Sequence, residues 1–282
     1  MSISAGKFVG SKAGAGVWQN IVNEIPPAKR FYFGFLGKDC IFRKLAEAGS
    51  TVIGFEISEK VIATFWKDFT RAGKDLIYTS GNSKVQIFNR DFVQWITGPT
   101  DLTNEDFIYA DPTYPLFTRK NRRYYDNELS DAEHEAMLDA FLTISAKVAI
   151  STRDNELYQS KLKGWRKIQF PAMTRGGIAM EETVYMNYPP VHALQIFSVF
   201  GENFVQRQAM QRKANRWIKA FNKMRLVQRN FILKALGESE TINRFKNCEN
   251  CGSPFRGKSE KGKFCKPACR IAFCRKKSLK AA

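Results

Sequence analysis

The segment Asp111-Pro112-Thr113-Tyr114 combines residue types that can hold an amino group and an aromatic ring together. It follows the apolar run Phe107-Ile108-Tyr109-Ala110, which is typical of a buried strand. A carboxylate and a backbone carbonyl can accept both N–H bonds of an exocyclic amino group, which shifts electron density toward its nitrogen. Proline fixes the direction of such a carbonyl, and tyrosine can stack on a base. The segment predicts a catalytic site in which Asp111 and Pro112 activate an amino group and Tyr114 holds its base.

Three earlier strand ends carry residues suited to a nucleoside-containing cofactor. A turn with Gly37 follows the first predicted strand, and glycine permits a ligand to approach the backbone closely. Glu56 ends the second strand, where an acidic residue can accept hydrogen bonds from a ribose diol. After the third strand, Asp91 could bind an adenine amino group and Phe92 could flank the ring. The alternative for Glu56 and Asp91 is a structural role as helix caps.

The cysteines cluster near the carboxyl end of the chain. Five of the six lie between Cys248 and Cys274, and Cys248/Cys251 and Cys265/Cys269 form two close pairs. Four thiolates suffice for a closed tetrahedral zinc site, and a segment of about thirty residues is too short for an adequate apolar core. The pattern therefore predicts a structural Zn²⁺ site, with Cys274 as a possible replacement for Cys269.

Short apolar runs alternate with amphipathic stretches over the first 190 residues. The predicted strands are Arg30–Phe35, Thr51–Glu56, Val85–Asn89, Asp106–Ala110, Lys147–Ser151, Trp165–Phe170 and Thr183–Tyr188. The predicted helices are Cys40–Ala48, Ser58–Ala72 and one that opens on the Ser130…Glu133 capping box and runs to Ser145. This alternation predicts an α/β fold with a doubly wound, Rossmann-like parallel sheet, whose ligands lie beyond the carboxyl ends of the strands.

The positive charge lies almost entirely in the last part of the chain. Of 45 Lys and Arg and 27 Asp and Glu residues, 21 and 4 respectively fall in residues 203–282, so this part carries +17 of the total +18. Such a surface favours a polyanion, most simply a nucleic acid, because neutralised phosphates release counterions. The alternative is a solvated tail that aids solubility.

The region after Pro189-Pro190 predicts separate modules. Apolar residues at helical spacing predict one helix over Phe204–Leu236, ended by Gly237, that packs on the body or presents a basic face. We therefore expect a domain at 1–190, a basic helical linker at 191–240 and a zinc-binding basic tail at 241–282. The chain has no apolar run long enough to span a membrane, and no secretion signal is evident, so a cytoplasmic location is expected.

Basic residues in two regions are candidates for contacts with nucleic-acid phosphates. Lys263, Arg270 and Lys276 lie in the cysteine-rich tail. Arg119, Arg122 and Arg123 follow the catalytic segment, although nearby acidic residues could neutralise them. His134 and Cys40 are interpreted as structural residues.

The chain from about Phe8 to Pro190 resembles the Dam-like family of DNA adenine N6-methyltransferases. The resemblance rests on segments in the family's order: Gly10-Ser11-Lys12, Phe35-Leu36-Gly37, Gly54-Phe55-Glu56, Asp91-Phe92, Asp111-Pro112-Thr113-Tyr114, Gly177, Glu182 and Met186-Asn187-Tyr188. The chain departs from the family pattern at Thr113, where a second proline is usual, at Asp39, where a second glycine is usual, and at Phe33, where an acidic residue is common.

The resemblance implies methyl transfer from S-adenosylmethionine to N6 of an adenine flipped out of DNA. It implies that Lys12, Gly37, Glu56 and Asp91 hold this cofactor, with Phe8 or Phe35 packed on it, and that the transfer needs no metal. Two alternatives remain open at this stage. One is a non-catalytic DNA-binding or regulatory protein on a decayed methylase body, which Asp39 and Thr113 motivate. The other is an RNA adenine methyltransferase.

Overall fold

The protein is described by a computed structural model, which divides into two compact units, Met1–Tyr188 and Pro189–Ala282. The boundary lies two residues before the predicted one. The structure describes residues 12, 16–64, 70–72, 75–80, 83–118, 127–173, 179–201, 203–238, 245–250, 254–256 and 262–278.

A nine-stranded mixed sheet forms the centre of the first unit, in the order β3-β4-β5-β2-β1-β6-β7-β9-β8. The strands are β1 (Arg30–Gly34), β2 (Val52–Phe55), β3 (Thr70–Ala72), β4 (Asp75–Ser80), β5 (Ser83–Phe88), β6 (Asp106–Ala110), β7 (Lys147–Thr152), β8 (Arg166–Met173) and β9 (Ala179–Met186). All seven predicted strands are present, with ends shifted by a few residues.

The five central strands, β5-β2-β1-β6-β7, pair in parallel as predicted, whereas the edges do not. β9 runs antiparallel to β7 and β8, and β4 antiparallel to β5 and β3. The prediction of a wholly parallel sheet is therefore wrong at the edges. The parallel strands are buried on both faces, and Phe31, Phe33, Phe107 and Val148 have no exposed surface.

The helices of the first unit are short. They are α1 (Val17–Val22), α2 (Cys40–Glu47), α3 (Glu59–Ile62), α4 (Phe92–Thr97), α5 (Asp131–Thr143) and α6 (Glu156–Lys161). The capping box of α5 is present as predicted: Glu133 N–H donates to the Ser130 hydroxyl, and the Glu133 carboxylate accepts from Ser130 N–H. His134 is fully buried in α5, and its Nδ1 lies 2.9 Å from the Tyr158 hydroxyl of α6, which fits the structural role expected of it.

The predicted helix over Ser58–Ala72 is wrong. Of the described residues in this range, Glu59–Ile62 form α3, whereas Thr70–Ala72 form β3, which pairs with β4. Leu76 is buried opposite Ile87 of β5, and the Asp75 carboxylate accepts a hydrogen bond from Asn89 N–H at 3.0 Å. These long-range contacts favour the strand over the local helical pattern.

The second unit contains α7 (Phe204–Asn222), α8 (Leu226–Glu238), an antiparallel hairpin of β10 (Phe245–Asn247) and β11 (Pro254–Arg256), and α9 (Pro267–Ser278). The predicted single helix over Phe204–Leu236 is wrong, because it breaks between α7 and α8, and Gly237 lies inside α8. At the break, the Gln228 side chain accepts from Arg225 N–H at 3.0 Å, which supplies a partner for a backbone amide at the new helix start. Apolar side chains of both helices, including Trp217 and Phe231, are exposed.

In the part of the chain that the structure describes, no helix combines the length and apolar character that crossing a membrane requires.

Candidate active site

Asp111 lies at the point where the order of the central strands reverses. From β1 the chain proceeds outward to β2 and β5, and then returns to the other side of β1 as β6. The crevice beyond the carboxyl ends at such a switch point is where open α/β sheets bind ligands. Phe33 of β1 pairs with Gly54 of β2 and with Tyr109 of β6.

The strand register brings the two predicted acidic residues to one edge of the sheet. Glu56 lies two residues beyond Gly54, and Asp111 lies two residues beyond Tyr109, in the same direction. With neighbouring strands roughly 4.8 Å apart, their backbones are separated by about 10 Å across β1. The two acidic residues therefore follow strands on opposite sides of β1 at the same edge of the sheet.

A buried cluster of charged side chains surrounds Asp111. Lys12 Nζ lies 2.9 Å from Asp111 Oδ1 and 3.0 Å from Glu182 Oε1. The Glu182 carboxylate also accepts hydrogen bonds from the Ser151 hydroxyl at 2.7 Å and from the Tyr114 hydroxyl at 3.2 Å. One ammonium thus joins two carboxylates, and Glu182 links β9 to the ends of β6 and β7.

Burial controls the electrostatics of this cluster. Lys12, Asp111 and Glu182 are 7%, 16% and 3% exposed at the side chain. Burial raises the pKa of Asp111 to about 7. The Lys12 ammonium lowers this pKa by less than burial raises it, and the Glu182 carboxylate raises it further. The two carboxylates together hold the pKa of Lys12 well above its ordinary value against the effect of burial. Lys12 therefore remains an ammonium, while Asp111 changes charge near neutral pH.

The backbone after Asp111 is fixed by the two residues that follow. Pro112 is buried, and the Thr113 hydroxyl accepts a hydrogen bond from Leu129 N–H at 3.3 Å. This bond ties the segment Asp111-Pro112-Thr113-Tyr114 to the residues that lead into α5. Thr113, one of the departures from the family pattern, thus has a positioning contact that a proline could not make.

The turn after β1 is built around Glu56. Its carboxylate accepts hydrogen bonds from Gly37 N–H and Ser58 N–H, both at 2.8 Å. Phe35 and Gly37 have positive φ angles of 58° and 50°. Such a conformation is uncommon for phenylalanine and is often found at functional sites. Burial raises the pKa of Glu56, and the backbone amides oppose that rise.

The N-cap of α3 is Ser58 and not Glu56, whose contact with Gly37 N–H fixes the turn after β1. Asp91 is the N-cap of α4: its Oδ1 accepts from Val93 N–H at 2.7 Å and Gln94 N–H at 3.3 Å. These two contacts of Asp91 are those of a helix cap, which was the structural alternative to cofactor binding.

The sequence predicted that Phe92 flanks the adenine ring of the cofactor, but the structure places its side chain in the core. It is 2% exposed, and its ring packs against Phe35, Phe55 and Trp95. A Cβ atom on Gly34 would meet the Phe92 ring at 2.5 Å, so the glycine is required for this packing. Phe92 contacts the ring of Phe35 but offers almost no surface to a ligand.

Asp39 replaces the second glycine of the family's turn, and the structure gives it a local role. It is 8% exposed and caps α2, where its carboxylate accepts from Ile41 N–H at 2.5 Å and Phe42 N–H at 3.1 Å. Burial raises its pKa to about 6, and these backbone bonds oppose the rise. The carboxylate is committed to the start of the helix.

Several predicted site residues lie outside the described part of the chain. These are Phe8, Arg119, Arg122, Arg123 and Cys251. Lys276 lies in α9, where only its backbone is described. Lys263 and Arg270 are exposed, and Lys263 Nζ lies 3.0 Å from Glu249 Oε1.

Three of the predicted metal ligands come together. The Sγ atoms of Cys248, Cys265 and Cys269 all lie within 4.8 Å of one another. Cys274 is exposed and does not belong to this group.

Sequence reasoning did not assign roles to Glu182 and Ser151, or predict that Lys12 would contact Asp111. Lys12 and Glu182 are 170 positions apart, so local patterns cannot pair them. The available indication was Glu182 itself, an acidic residue next to the β-branched run of a predicted buried strand.

Comparisons with known proteins give weak likenesses to solved structures. No family model and no curated protein matches the chain. Magnesium protoporphyrin IX methyltransferase from Synechocystis PCC 6803, with bound S-adenosylmethionine, is 16% identical, with a TM-score of 0.38 over 60% of this chain and 75% of that one. An S-adenosylmethionine-dependent methyltransferase from Agrobacterium tumefaciens is 14% identical, with a TM-score of 0.36 over 61% of this chain and 59% of that one.

A third structure, an S-adenosylmethionine-dependent methyltransferase from Methanosarcina mazei, is 12% identical, with a TM-score of 0.37 over 59% of this chain and 94% of that one. Identities and scores at this level do not assign the chain to a family.

Proposed function

We propose that the chain is an S-adenosylmethionine-dependent methyltransferase that methylates N6 of adenine in DNA. The observation that carries the proposal is the strand register, which puts Glu56 and Asp111 on either side of β1 at the topological switch point. An acidic residue for a nucleoside and a carboxylate for an amino group then face the same crevice. The resemblance to the Dam-like family, which rests on the sequence, agrees with this arrangement.

The residues around the β1 turn fit the proposed cofactor. Glu56 is held in one orientation by two backbone amides, and its carboxylate can accept hydrogen bonds from ribose hydroxyls. Both hydrogen bonds to Asp91 are accepted by Oδ1, so Oδ2 could accept from an adenine amino group. Phe35 is partly exposed above the buried Phe92 and can pack on the cofactor. When bound, S-adenosylmethionine supplies a methyl group on a cationic sulfonium, which is open to attack by a nucleophile.

The segment after β6 supplies the activation of that nucleophile. In the proposed reaction, the ionised Asp111 and the Pro112 carbonyl accept the two N–H bonds of the amino group and direct its lone pair outward. Tyr114 holds the base, and Glu182 positions Tyr114 through its hydroxyl. Methylation releases one proton from the nitrogen, and Asp111 is placed to receive it. Lys12 occupies Asp111 Oδ1, so the amino group must share that oxygen with Lys12 or bind Oδ2.

The charge distribution supports a nucleic acid as the carrier of the target base. Residues 203–282 carry 21 basic and 4 acidic residues, and phosphate contacts of this kind contribute affinity without sequence information. Base flipping costs a few kcal/mol, which stacking and hydrogen bonds in a pocket repay. A basic second unit can therefore hold the polymer while the first unit acts on one base.

The test is the transfer of isotopically labelled methyl groups to double-stranded DNA and to RNA of matched sequence, followed by digestion and separation of the nucleosides. The proposal predicts label in N6-methyl-2′-deoxyadenosine from DNA, at a rate well above the rate of labelling in RNA. Label in RNA alone, on cytosine, or in neither polymer contradicts it. A Glu56→Ala variant should lose binding of S-adenosylmethionine, measured by calorimetry, while Glu47→Ala, on the exposed face of α2, should retain it.

A further inference from the structure

The segment from β10 to α9 has an unusual core. Of its described side chains, those that are buried are Cys248 and Cys269, at 2% and 5% exposed. Phe264 and Phe273 add one ring contact at 5.2 Å between centroids, and both side chains are partly exposed. Among the side chains that the structure describes in this segment, the apolar burial is too small to hold a hairpin and a helix together. The two buried thiols therefore take the positions that apolar side chains have in an ordinary core.

The elements of this segment deliver the thiols to one point. Cys248 follows β10 directly, Cys265 lies two residues before α9, and Cys269 lies in the first turn of α9. Glu249 N–H donates to the Lys263 carbonyl at 3.0 Å, which joins the chain after β10 to the chain before α9. The convergence within 4.8 Å thus joins residues from separate parts of the sequence.

We infer that Cys248, Cys265 and Cys269 bind one Zn²⁺, with Cys251 as the fourth ligand, and that this ion acts as the core of the segment. Soft thiolates in a tetrahedral set favour zinc. Cys251 lies outside the described residues, and its assignment as a ligand rests on its position three residues after Cys248 in the sequence. The inference does not depend on the proposed methyl transfer.

The structure also selects between the two candidates for the last ligand. Cys269 is buried with the other thiols, whereas Cys274 is exposed and outside the group. On a helix, a separation of five residues turns a side chain about 140° away, since each residue turns roughly 100°. Cys274 therefore cannot replace Cys269 while α9 keeps its place.

A disulfide is a competing arrangement for the same thiols. The Sγ atoms of Cys265 and Cys269 are 3.5 Å apart, whereas a disulfide needs about 2.05 Å. This spacing suits two ligands of one metal ion.

The experiment measures metal bound to the full-length chain. After purification and dialysis against metal-free buffer, mass spectrometry should find about one Zn²⁺ per chain. The double variant Cys265→Ser/Cys269→Ser should retain less than a tenth of that amount, while the matched control Cys274→Ser should retain all of it. Wild-type protein without zinc, bound iron with sulfide, or equal loss in the Cys274→Ser control overturns the inference.

A second measurement avoids variants that fail to fold. Wild-type chain stripped with a chelator and titrated with Co²⁺ should develop the visible absorption of a tetrahedral thiolate site, and added Zn²⁺ should remove it. Amide hydrogen exchange in residues 262–278 should slow on adding Zn²⁺ and stay unchanged in the sheet of the first unit. The role of the ion as core is contradicted if hydrogen exchange in residues 262–278 does not change when Zn²⁺ is added. A Cys265–Cys269 disulfide in the protein as isolated contradicts it as well.

Discussion

Lys12 Nζ lies 2.9 Å from Oδ1 of Asp111, the carboxylate on which the proposed reaction depends. The same ammonium contacts Glu182, so it separates two buried carboxylates that would otherwise repel each other. Removal of Lys12 would leave both carboxylates without this compensation, and protonation of one of them would relieve the repulsion.

The first prediction concerns the pH dependence of methyl transfer. Burial raises the pKa of Asp111 to about 7, and only its ionised form can receive the proton that the amino group releases. The rate kcat/KM should therefore fall about tenfold per pH unit below that value. Lys12→Ala should move the midpoint to higher pH, measured at saturating cofactor, and Lys12→Arg should move it less. A midpoint that stays in place in Lys12→Ala would show that Asp111 does not control the profile.

A second prediction concerns Thr113. Thr113→Val removes the acceptor for Leu129 N–H and should lower the free energy of unfolding by about 1 kcal/mol. Thr113→Ser keeps a hydroxyl and should lie close to wild type. Chemical denaturation of the three proteins measures the difference. Equal stability of the Val and Ser variants would mean that the Leu129 bond does not hold the segment.

A third prediction concerns Asp39, whose pKa is raised to about 6. The folded state holds this proton more tightly than the unfolded chain, so ionisation of Asp39 lowers the free energy of unfolding as pH rises from about 4 to about 6. Asp39→Asn keeps a capping side chain and cannot ionise. Its stability relative to wild type should therefore increase over this window, by up to about 3 kcal/mol. Denaturation curves at several pH values check this, and a constant difference would contradict it.

A fourth prediction concerns the basic part of the chain. Removal of residues 203–282 deletes 21 basic residues and should weaken DNA binding and flatten its dependence on salt. Binding of S-adenosylmethionine should be unchanged, because its proposed residues all lie in the first unit. Affinity measured at several salt concentrations, with and without the segment, provides the test. If the DNA affinity depended equally on salt concentration with and without residues 203–282, the segment would not bind DNA phosphates.

The sequence predicted the central strands well because each is a short apolar run, and such runs are typical of strands buried on both faces. Local caps such as Ser130…Glu133 were also predictable, since their spacing is fixed by helix geometry. The predicted helix over Ser58–Ala72 is wrong at its end because Thr70–Ala72 pair with β4, which in turn pairs with β5. Leu76 and Ile87 meet in the folded sheet, and no local pattern records that contact.

The candidate site was predictable in part for the same reason. Glu56 and Asp111 end predicted parallel strands, so their arrival at one edge follows from the topology. Glu182 reaches the site on β9, which runs antiparallel to β7, and the sequence alone did not give this direction. Phe92 follows Asp91 in the sequence, but α4 turns its ring into the core, so adjacency did not predict a shared role.

The most direct test of the proposed activity compares wild type with Asp111→Ala and Asp111→Asn in the transfer of labelled methyl groups to DNA. Cofactor binding is measured on the same preparations. The account predicts label on adenine N6 in wild type, a loss of at least about a hundredfold in both variants, and cofactor affinity close to wild type. Undiminished transfer by the variants, or wild type that binds S-adenosylmethionine and labels no adenine, would contradict it.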